Sequence, residues 1–290
     1  MKRLLCLMIL CAVVLSGCKT KKPDKPLTTP TPAKPGCEIH VLSLGKADCI
    51  LIIADGEAML IDAGYEQQGD SIVAYLKEQG VTSLKYAVLT HGDKDHVGGM
   101  ATVLRNIATS QLLLSPREED SKDYLAMLKA VSDRNIPCRV PELQSTFTIG
   151  NGTVTVLAPG EKALKEDSDN DASLVLRLTY GERSALFMGD ALTKTEKEMR
   201  DKEYELRADI LKIGHHGKDD ATSKKFLSEV APMYAVITCG DIIDDKEDGV
   251  PDEEVLRRLS SFAVTTYRTD TDGTIAFRTE GKTWQVEKAR

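Results

Sequence analysis

The segment 86–100, YAVLTHGDKDHVGGM, constrains the fold most, because four potential metal ligands follow an apolar run directly. The run at 86–90 is too short for a helix and is typical of a buried strand. After the ligands come two glycines and a stretch with helical spacing. The sequence therefore predicts ligands on a turn between a strand and a helix, where a rigid scaffold positions functional loops. These ligands are His91, Asp93, Asp95 and His96.

The spacing of the four ligands indicates two metal sites. Alternate residues of an extended turn point the same way, so His91 and Asp93 are expected to share one ion. Asp95 and His96 can then turn toward a second ion. Imidazole with carboxylate suits zinc, manganese or iron, and two divalent ions, Zn²⁺ or Mn²⁺, are the expected cofactors. A solvated polar turn is the alternative, but four of the five histidines fall in two tight clusters, each after an apolar run.

The first 18 residues are typical of a targeting segment, which is excluded from fold reasoning. Two basic residues precede the apolar run 4–15, which is short for a membrane-spanning helix. The run ends in Leu-Ser-Gly-Cys, which resembles a bacterial lipobox and predicts a diacylated Cys18 after cleavage. A plain secretory signal is the alternative. We expect a membrane-anchored lipoprotein at the bacterial cell surface or in the periplasm, with no evident protein partner.

Residues 19–36 consist mainly of lysine, threonine and proline and predict an extended linker. The folded domain is expected at 37–290, which holds 31 basic and 44 acidic residues, a formal charge near −13. That charge disfavours tight nonspecific binding of duplex nucleic acid, which relies on basic side chains at phosphates. With one tryptophan, a base-stacking platform is not indicated either.

Four widely spaced cysteines remain in the expected domain, and no two form a CxxC pair. Cys49 and Cys239 lie in apolar runs and are expected to be buried thiols. A partner for Cys37 is left open.

The periodicity of the remaining sequence predicts helices interleaved with strands that hairpins mainly connect. No solenoid-type repeat is present, so a mixed, layered α/β (α+β) domain is expected. The predicted helices lie near 71–79, 99–108, 120–134, 193–203, 222–229 and 253–260. The predicted strands lie near 38–44, 49–53, 58–64, 86–90, 111–114, 146–149, 153–157, 172–180, 184–188, 209–213, 234–238, 263–267, 274–278 and 283–287.

The order of motifs resembles the metallo-β-lactamase fold superfamily, and within it the C-terminal hydrolase domain of ComEC-type competence proteins. The resemblance implies an αββα sandwich, two mixed sheets flanked by helices, with a dinuclear metal site at one edge. It covers nearly all of 38–280. The matching stretches are LGKADCILI (44–52), LIDAG (60–64), THGDKDHVGG (90–99), 170–176, FMGD (187–190), LKIGHHG (211–217) and TDTDGTI (269–275).

The resemblance also implies residue roles. His91 and Asp93 would hold one ion, and Asp95 and His96 the other. Asp190 would bridge the two ions; its alternative role is a helix N-cap.

The pair His215 and His216 would divide two further roles. One imidazole would complete the second ion, and the other would donate to a substrate oxygen; the sequence leaves the choice open. With Asp95, this pair makes up the expected catalytic residues. Asp62, and with weaker support Asp48, would orient a ligand imidazole. The alternative is that both aspartates are turn residues.

The sequence departs from the commonest superfamily pattern at three places. Asp93 stands where many members have histidine, although the ComEC-type group shares the aspartate. No histidine lies between 97 and 214, which leaves Asn170 or Asp171 as replacements near the first ion. The segment 249–251 lacks the histidine of a late Gly-His-Pro. The first site is therefore expected to be rich in oxygen ligands.

A site of this kind suits hydrolysis, because paired ions activate a water and neutralise a developing oxyanion. We expect a cell-surface metal-dependent hydrolase that acts on phosphodiesters, with nucleic acid, possibly DNA, as the partner that the resemblance favours. One alternative is a metallohydrolase of phosphocholine esters or other small esters. Another is a non-catalytic metal-binding surface lipoprotein. A lipid-anchored adaptor that holds DNA without cutting it is disfavoured by the charge near −13.

Overall fold

The computed structural model describes residues 35–166, 168–240 and 249–290. The predicted signal segment 1–18, with Cys18, lies outside the described residues. So does the predicted linker 19–36, except for its last two residues. The backbone N–H of Gly36 donates to Asp55 Oδ1 over 3.0 Å, near the start of the described residues.

Two large mixed sheets contain almost all of the described strands. The first sheet has the strand order β17-β16-β1-β2-β3-β5-β7-β8. Its strands are β1 (Cys37–Val41), β2 (Ile50–Ala54), β3 (Glu57–Ile61), β5 (Tyr86–Leu89), β7 (Leu112–Leu114), β8 (Cys138–Arg139), β16 (Ile275–Thr279) and β17 (Gln285–Lys288).

The second sheet has the order β15-β14-β13-β12-β11-β10-β9. Its strands are β9 (Thr146–Ile149), β10 (Gly152–Ala158), β11 (Val175–Tyr180), β12 (Arg183–Phe187), β13 (Ile210–Lys212), β14 (Tyr234–Ile237) and β15 (Thr265–Arg268). A separate small pair is formed by β4 (Ser83–Leu84) and β6 (Ala108–Thr109).

Helices occur between these strands and cover the outer faces of the sheets. They are α1 (Gly69–Glu78), α2 (Lys94–Val97), α3 (Met100–Asn106), α4 (Lys122–Arg134), α5 (Thr193–Asp201), α6 (Lys224–Val230), α7 (Glu253–Ser261) and α8 (Thr269–Asp272). Short 3₁₀ turns lie at Glu66–Gln68, Ala163–Lys165, Asn170–Ala172 and Gly214–Gly217. None of the described helices combines the length and the apolar character that crossing a membrane requires.

The core is divided into three apolar layers by the two sheets. One buried cluster lies between the sheets and joins residues such as Ile52 of β2 to Phe187 of β12. A second joins the outer face of the first sheet to α1, α3 and α4, and includes Leu51. A third joins the outer face of the second sheet to α5, α6 and α7. Because neighbouring residues of a strand face opposite sides, Leu51 and Ile52 serve different layers. The predicted αββα arrangement is confirmed.

Most predicted elements are present within a few residues of their expected bounds. A tight hairpin turn at Asp55 and Gly56 joins β2 to β3, with φ of 49° and 85° at these two residues. Two differences concern the site. The segment 170–172 forms a 3₁₀ turn, so the strand predicted at 172–180 begins only at Val175. The ligand turn also contains the single-turn helix α2, which is too short to show a periodic pattern.

The cysteines of the described residues are all free thiols. Cys49 and Cys239 are buried, as predicted, and Cys37 is buried without a disulfide partner.

Candidate metal centre

Strands from both sheets end at one edge of the sandwich and deliver the predicted site residues. In the first sheet, β3 and β5 are parallel neighbours. Asp62 follows β3, and the turn 90–96 follows β5. In the second sheet, β12 and β13 are parallel neighbours. Asp190 follows β12, and the pair 215–216 follows β13. Because the carboxyl ends of parallel neighbours meet at one edge, this topology brings together residues that are far apart in sequence.

The backbone of these segments is unusual. His215, His216 and Asp62 have φ of 48°, 54° and 58°, a region that non-glycine residues adopt rarely. The ligand turn also approaches β3 closely, since a Cβ at Gly99 would lie 2.3 Å from the carbonyl oxygen of Ala63. Only glycine allows that approach. Strained conformations of this kind cluster at functional sites.

A first group of ligand atoms surrounds His91. Its Nε2 lies 3.5 Å from Asp93 Oδ2 and 4.0 Å from Asp190 Oδ2. His96 Nε2 lies 3.4 Å from Asp190 Oδ1. Two ligands held at about 2.1 Å by one tetrahedral ion are separated by about 3.4 Å. These spacings are therefore those of groups that can share a cation.

A second group includes one histidine of the pair 215–216. His216 Nε2 lies 3.5 Å from both Asp95 Oδ2 and Asp190 Oδ2. Ligand atoms of Asp95, His96 and His216 all lie within 4.8 Å of one another. Asp190 therefore lies between the two groups, where its predicted bridging role requires it. The alternative role of Asp190 as a helix N-cap is wrong, because Leu192 occupies the N-cap of α5.

The imidazoles of His91 and His96 are oriented by a buried polar network. His96 Nδ1 lies 2.8 Å from Asp62 Oδ2. Thr90 Oγ1 donates to the same carboxylate over 2.7 Å and lies 3.1 Å from His91 Nδ1. Since Asp62 can only accept, His96 Nδ1 donates to it. Thr90 Oγ1, which gives its proton to Asp62, can only accept from His91 Nδ1, which also lies 3.4 Å from the Ser173 hydroxyl. The Nε2 lone pairs are left to face the ligand groups, and Asp62 has the orienting position predicted for it.

His216 is oriented from the opposite side. Its Nδ1 donates to the carbonyl oxygen of Thr238 over 3.0 Å. Thr238 Oγ1 lies 3.0 Å from the same Nδ1 and donates to Asp48 Oδ1 over 2.5 Å. Asp48 Oδ2 forms a buried ion pair with Lys212 Nζ at 2.9 Å. Asp48 therefore acts on His216 through a threonine.

Four buried atoms of the ligand groups have no hydrogen-bond partner in the described structure: His91 Nε2, His96 Nε2, His216 Nε2 and Asp190 Oδ1. Buried polar atoms are nearly always satisfied, and leaving them unpaired is costly. With the imidazoles neutral, all four atoms are acceptors and cannot satisfy one another; divalent cations, like protons, can satisfy them. The donor set of imidazole nitrogen and carboxylate oxygen suits zinc or manganese. The residues present therefore fit a dinuclear centre.

The electrostatics of the site agree with this fit. Burial raises the pKa of Asp190, but the imidazoles of His216, His96 and His91 hold that pKa well below its usual range. Burial lowers the pKa of His96, yet the carboxylates of Asp190 and Asp62 raise it well above its usual value. The pocket thus favours added positive charge, which a proton or a metal cation can supply.

Among the described contacts, His215 makes none with Asp95 or Asp190, unlike His216. Its Nδ1 lies 2.8 Å from Asp220 Oδ1, and its Nε2 lies 3.4 Å from the Asn170 side-chain nitrogen. The His215 side chain is 11% exposed, so its free edge reaches the surface of the site. Asp171 is buried and accepts from Thr195 Oγ1 over 2.7 Å, which turns it away. Of the two replacements considered for a missing imidazole, only Asn170 borders the site.

Sequence reasoning did not identify Lys212, Thr238 or Asp220. A signal for Lys212 exists, since it is a charged residue inside an otherwise apolar strand. Asp220 follows the histidine pair closely, but its contact depends on the conformation of the intervening turn. Thr238 lies 22 residues from His216 and has no local signal.

A sequence profile described as the Metallo-beta-lactamase superfamily matches residues 42–241. Among curated proteins, ComE operon protein 3 of Bacillus subtilis is 26% identical over 259 residues, covering 83% of this chain and 33% of that protein. Recombination protein 2 of Haemophilus influenzae is 27% identical over 263 residues, covering 89% of this chain and 31% of that protein. The chain thus spans about a third of the length of the curated relatives it matches.

Solved structures share the fold at low sequence identity. The metallo-beta-lactamase fold protein YhfI from Bacillus subtilis superposes with a TM-score of 0.55 at 13% identity, covering 85% of this chain and 100% of that chain. CmlA, a diiron beta-hydroxylase from Streptomyces venezuelae, superposes with a TM-score of 0.56 at 12% identity, covering 89% of this chain and 55% of that chain. Similarities at this level establish the architecture alone.

Proposed function

The chain belongs to the metallo-beta-lactamase superfamily, and from that premise we propose that it is a metal-dependent hydrolase of phosphodiesters, with nucleic acid as the favoured substrate class. The observation that carries the proposal is the convergence of three buried, unpartnered imidazole nitrogens on the carboxylates of Asp95 and Asp190. Such a donor set is typical of hydrolytic metal centres.

The chain's residues divide between two ions. His91 and Asp93 would hold one ion, and Asp95, His96 and His216 the other. The two oxygens of Asp190 would contribute to both. When bound, the ions supply an activated water and positive charge against a developing oxyanion.

His215 is assigned the proton transfer to the leaving oxygen. The Asp220 carboxylate lies 2.8 Å from Nδ1, so Nδ1–H donates to it and Nε2 is left toward the site. With Nδ1–H held by that carboxylate, Nε2 is the ring nitrogen that can carry a proton to the leaving oxygen. The Asn170 amide, 3.4 Å from Nε2, can turn its oxygen toward that proton. This choice assigns metal binding to His216 and proton donation to His215.

The preference for nucleic acid is supported by the relatives, which are competence proteins of ComEC type. The charge near −13 of residues 37–290 opposes tight nonspecific binding of duplexes. We therefore favour single-stranded or short substrates that reach the site without a basic docking surface. Hydrolysis of phosphocholine esters or other small esters is the alternative within the same chemistry.

A non-catalytic metal-binding protein is the second candidate, and one observation favours it. Asp93 is 47% exposed on its side chain and supplies an oxygen where a third buried imidazole would bind more firmly. If the first ion is weakly held there, the site binds metal without turnover.

Location and partners extend the proposal. We propose that diacylated Cys18 anchors the protein to the membrane at the bacterial cell surface or facing the periplasm. The lysine-rich linker 19–36 would separate the domain from the lipid and favour an anionic surface. The phosphodiester substrate and the membrane are then the expected partners.

The decisive experiment uses purified full-length protein in detergent, reconstituted separately with Mn²⁺ and Zn²⁺. Cleavage of bis-p-nitrophenyl phosphate, single-stranded DNA and a phosphocholine ester is measured, with chelated protein as the control. Metal-dependent cleavage of the first two substrates is expected. Stoichiometric metal without turnover on any substrate would favour the non-catalytic candidate.

A further inference from the structure

Lys46 brings a cation to the edge of the candidate metal centre. Its Nζ lies 3.7 Å from Asp95 Oδ2, the oxygen that also lies 3.5 Å from His216 Nε2. The Lys46 side chain is only 14% exposed. The ammonium group is therefore close to the ligand atoms but beyond hydrogen-bond distance of the carboxylate.

The loop that carries Lys46 is fixed two residues further along the chain, at Asp48. The backbone N–H of Asp48 donates to the carbonyl oxygen of Asp95 over 3.1 Å, and that of Gly64 donates to the Asp48 carbonyl over 2.9 Å. Ala47 is fully buried. These contacts tie the loop to the ligand turn, so the base of the Lys46 side chain has a defined place beside the site.

Lys46 differs from the other lysine near the site. Lys212 is buried and fully paired, with Asp48 Oδ2 at 2.9 Å and the carbonyl oxygen of Ile213 at 2.8 Å. Its charge is neutralised within the protein. Among the described residues, Lys46 pairs with the carboxylate of Asp95, which is a candidate metal ligand. A divalent ion bound to Asp95 would compete for the negative charge of that carboxylate. The Lys46 ammonium group would then be available to pair with another anion.

The charge balance points to the class of that anion. In the loaded site, the carboxylates of Asp93, Asp95 and Asp190 would offset three of the four positive charges on two divalent ions. On the side that a substrate would approach, Lys46 would raise the remaining excess from one positive charge to two, since the Asp62 carboxylate lies behind His96, on its Nδ1 side. A phosphodiester carries one negative charge and gains a second as a hydroxide attacks, so it matches that excess. A neutral ester does not.

We propose that Lys46 binds a non-bridging oxygen of an anionic phosphoryl group and thereby selects phosphate esters as substrates. This inference rests on the proposed function, which it deepens by naming the group that is recognised. Lys46 would touch the substrate directly, and the fixed loop would place its ammonium group next to the second ion.

The test compares the full-length protein with Lys46→Met, Lys46→Arg and a charge-matched control, Lys129→Met. Lys129 is exposed on α4 and pairs with Asp133 one turn along the helix. The first readout is calorimetric binding of inorganic phosphate to Mn²⁺-reconstituted protein. The second is kcat/KM on bis-p-nitrophenyl phosphate, and the third is metal content.

We expect Lys46→Met to keep its metal, to bind phosphate at least about tenfold more weakly and to lose about 100-fold in kcat/KM. Lys46→Arg, which retains the charge, should recover most of both losses. Lys129→Met should match the parent. An unchanged phosphate affinity in Lys46→Met would overturn the inference, and so would loss of metal, which would assign Lys46 to holding Asp95.

Failure of the proposed function gives a different pattern. Phosphate binding that depends on Lys46 in a protein that cleaves no phosphodiester would keep this inference and reject the phosphodiesterase. Cleavage that is equal in parent and Lys46→Met would keep the phosphodiesterase and reject this inference.

Discussion

Asp190 connects the two ligand groups, since one oxygen faces His96 and the other faces His91 and His216. Asp190→Ala should therefore reduce metal binding more than loss of any single imidazole. We expect about two ions per chain in the reconstituted parent and well under one in Asp190→Ala. Elemental analysis measures both, with the exposed Asp133→Ala as the control. Metal content equal to the parent would show that Asp190 is not a bridge.

His215 and His216 are neighbours, but their replacement by alanine is expected to affect metal content and kcat differently. His216→Ala removes a buried Nε2 from the ligand group, so metal and activity should fall together. His215→Ala should keep its metal and lose about 100-fold in kcat, because only a proton donor is gone. Asp220→Asn should lower kcat less, since the imidazole remains. Elemental analysis together with kcat measurements distinguishes the two roles. Equal metal loss in both alanine variants would contradict the assignment of metal binding to His216 and proton donation to His215.

At the residue scale, the sequence did not predict which of these two histidines binds metal and which donates a proton. The ligand types and their spacing predicted which residues belong to the site. They did not predict which imidazole of the pair turns inward, because that depends on two consecutive left-handed residues. It also depends on Thr238 and Asp220, which hold Nδ1 from different directions. Side-chain direction in an irregular turn has no periodic signature.

At the scale of elements, the ion pair between Lys212 and Asp48 joins β13 of the second sheet to the loop before β2 of the first. Both side chains are buried. Lys212→Met leaves an uncompensated carboxylate and should cost about 3–5 kcal/mol of unfolding free energy. The double variant Lys212→Met/Asp48→Asn should recover much of that loss. Urea unfolding of chelated protein tests this, and a Lys212→Met variant as stable as the parent would contradict it.

A second element-scale prediction concerns His40 on β1, which contacts Tyr75 on α1. Its Nε2 donates to Glu38 over 3.1 Å and its Nδ1 accepts from the Tyr75 hydroxyl over 2.7 Å. Burial lowers the pKa of His40, against the opposing effect of Glu38. Below the ordinary histidine pKa, the unfolded chain therefore binds a proton that the folded chain does not, and stability falls as pH falls.

The measurement is the unfolding free energy of chelated parent and His40→Gln at pH 7.5 and at about pH 5. The parent should lose more stability on acidification than His40→Gln, because the variant lacks the titrating group. Equal losses would show that His40 does not contribute to the acid sensitivity.

Long periodic elements were predictable from the sequence, and short ones were not. The helix over α4 and the hairpin of β9 and β10 follow from apolar spacing and from glycine at the turn. The two-residue strands β4, β6 and β8 and the single-turn helices α2 and α8 are too short to show a period. Their formation is decided by tertiary contacts, as when Lys85 N donates to the Ala58 carbonyl beside β4.

At the scale of the whole molecule, charge is unevenly distributed along the chain. The predicted linker 19–36 has five lysines and one aspartate, whereas residues 37–290 carry a charge near −13. An anionic domain is repelled by an anionic membrane surface, so the linker's charge alone would hold the protein weakly and in a salt-dependent way. Under the proposed anchoring, stable attachment would therefore depend on the lipid on Cys18.

The last prediction tests that requirement. Cys18→Ala should release the protein from the membrane fraction or leave it unprocessed, because it removes the thiol that would carry the proposed acyl chains. Cys11→Ala is the matched control, since it removes a thiol from the same apolar segment and should not alter attachment. Fractionation is performed at low and at high salt, so that attachment through the lysines is removed by salt and attachment through lipid is not. If Cys18→Ala is processed and remains membrane-bound at high salt, the lipid anchor is wrong.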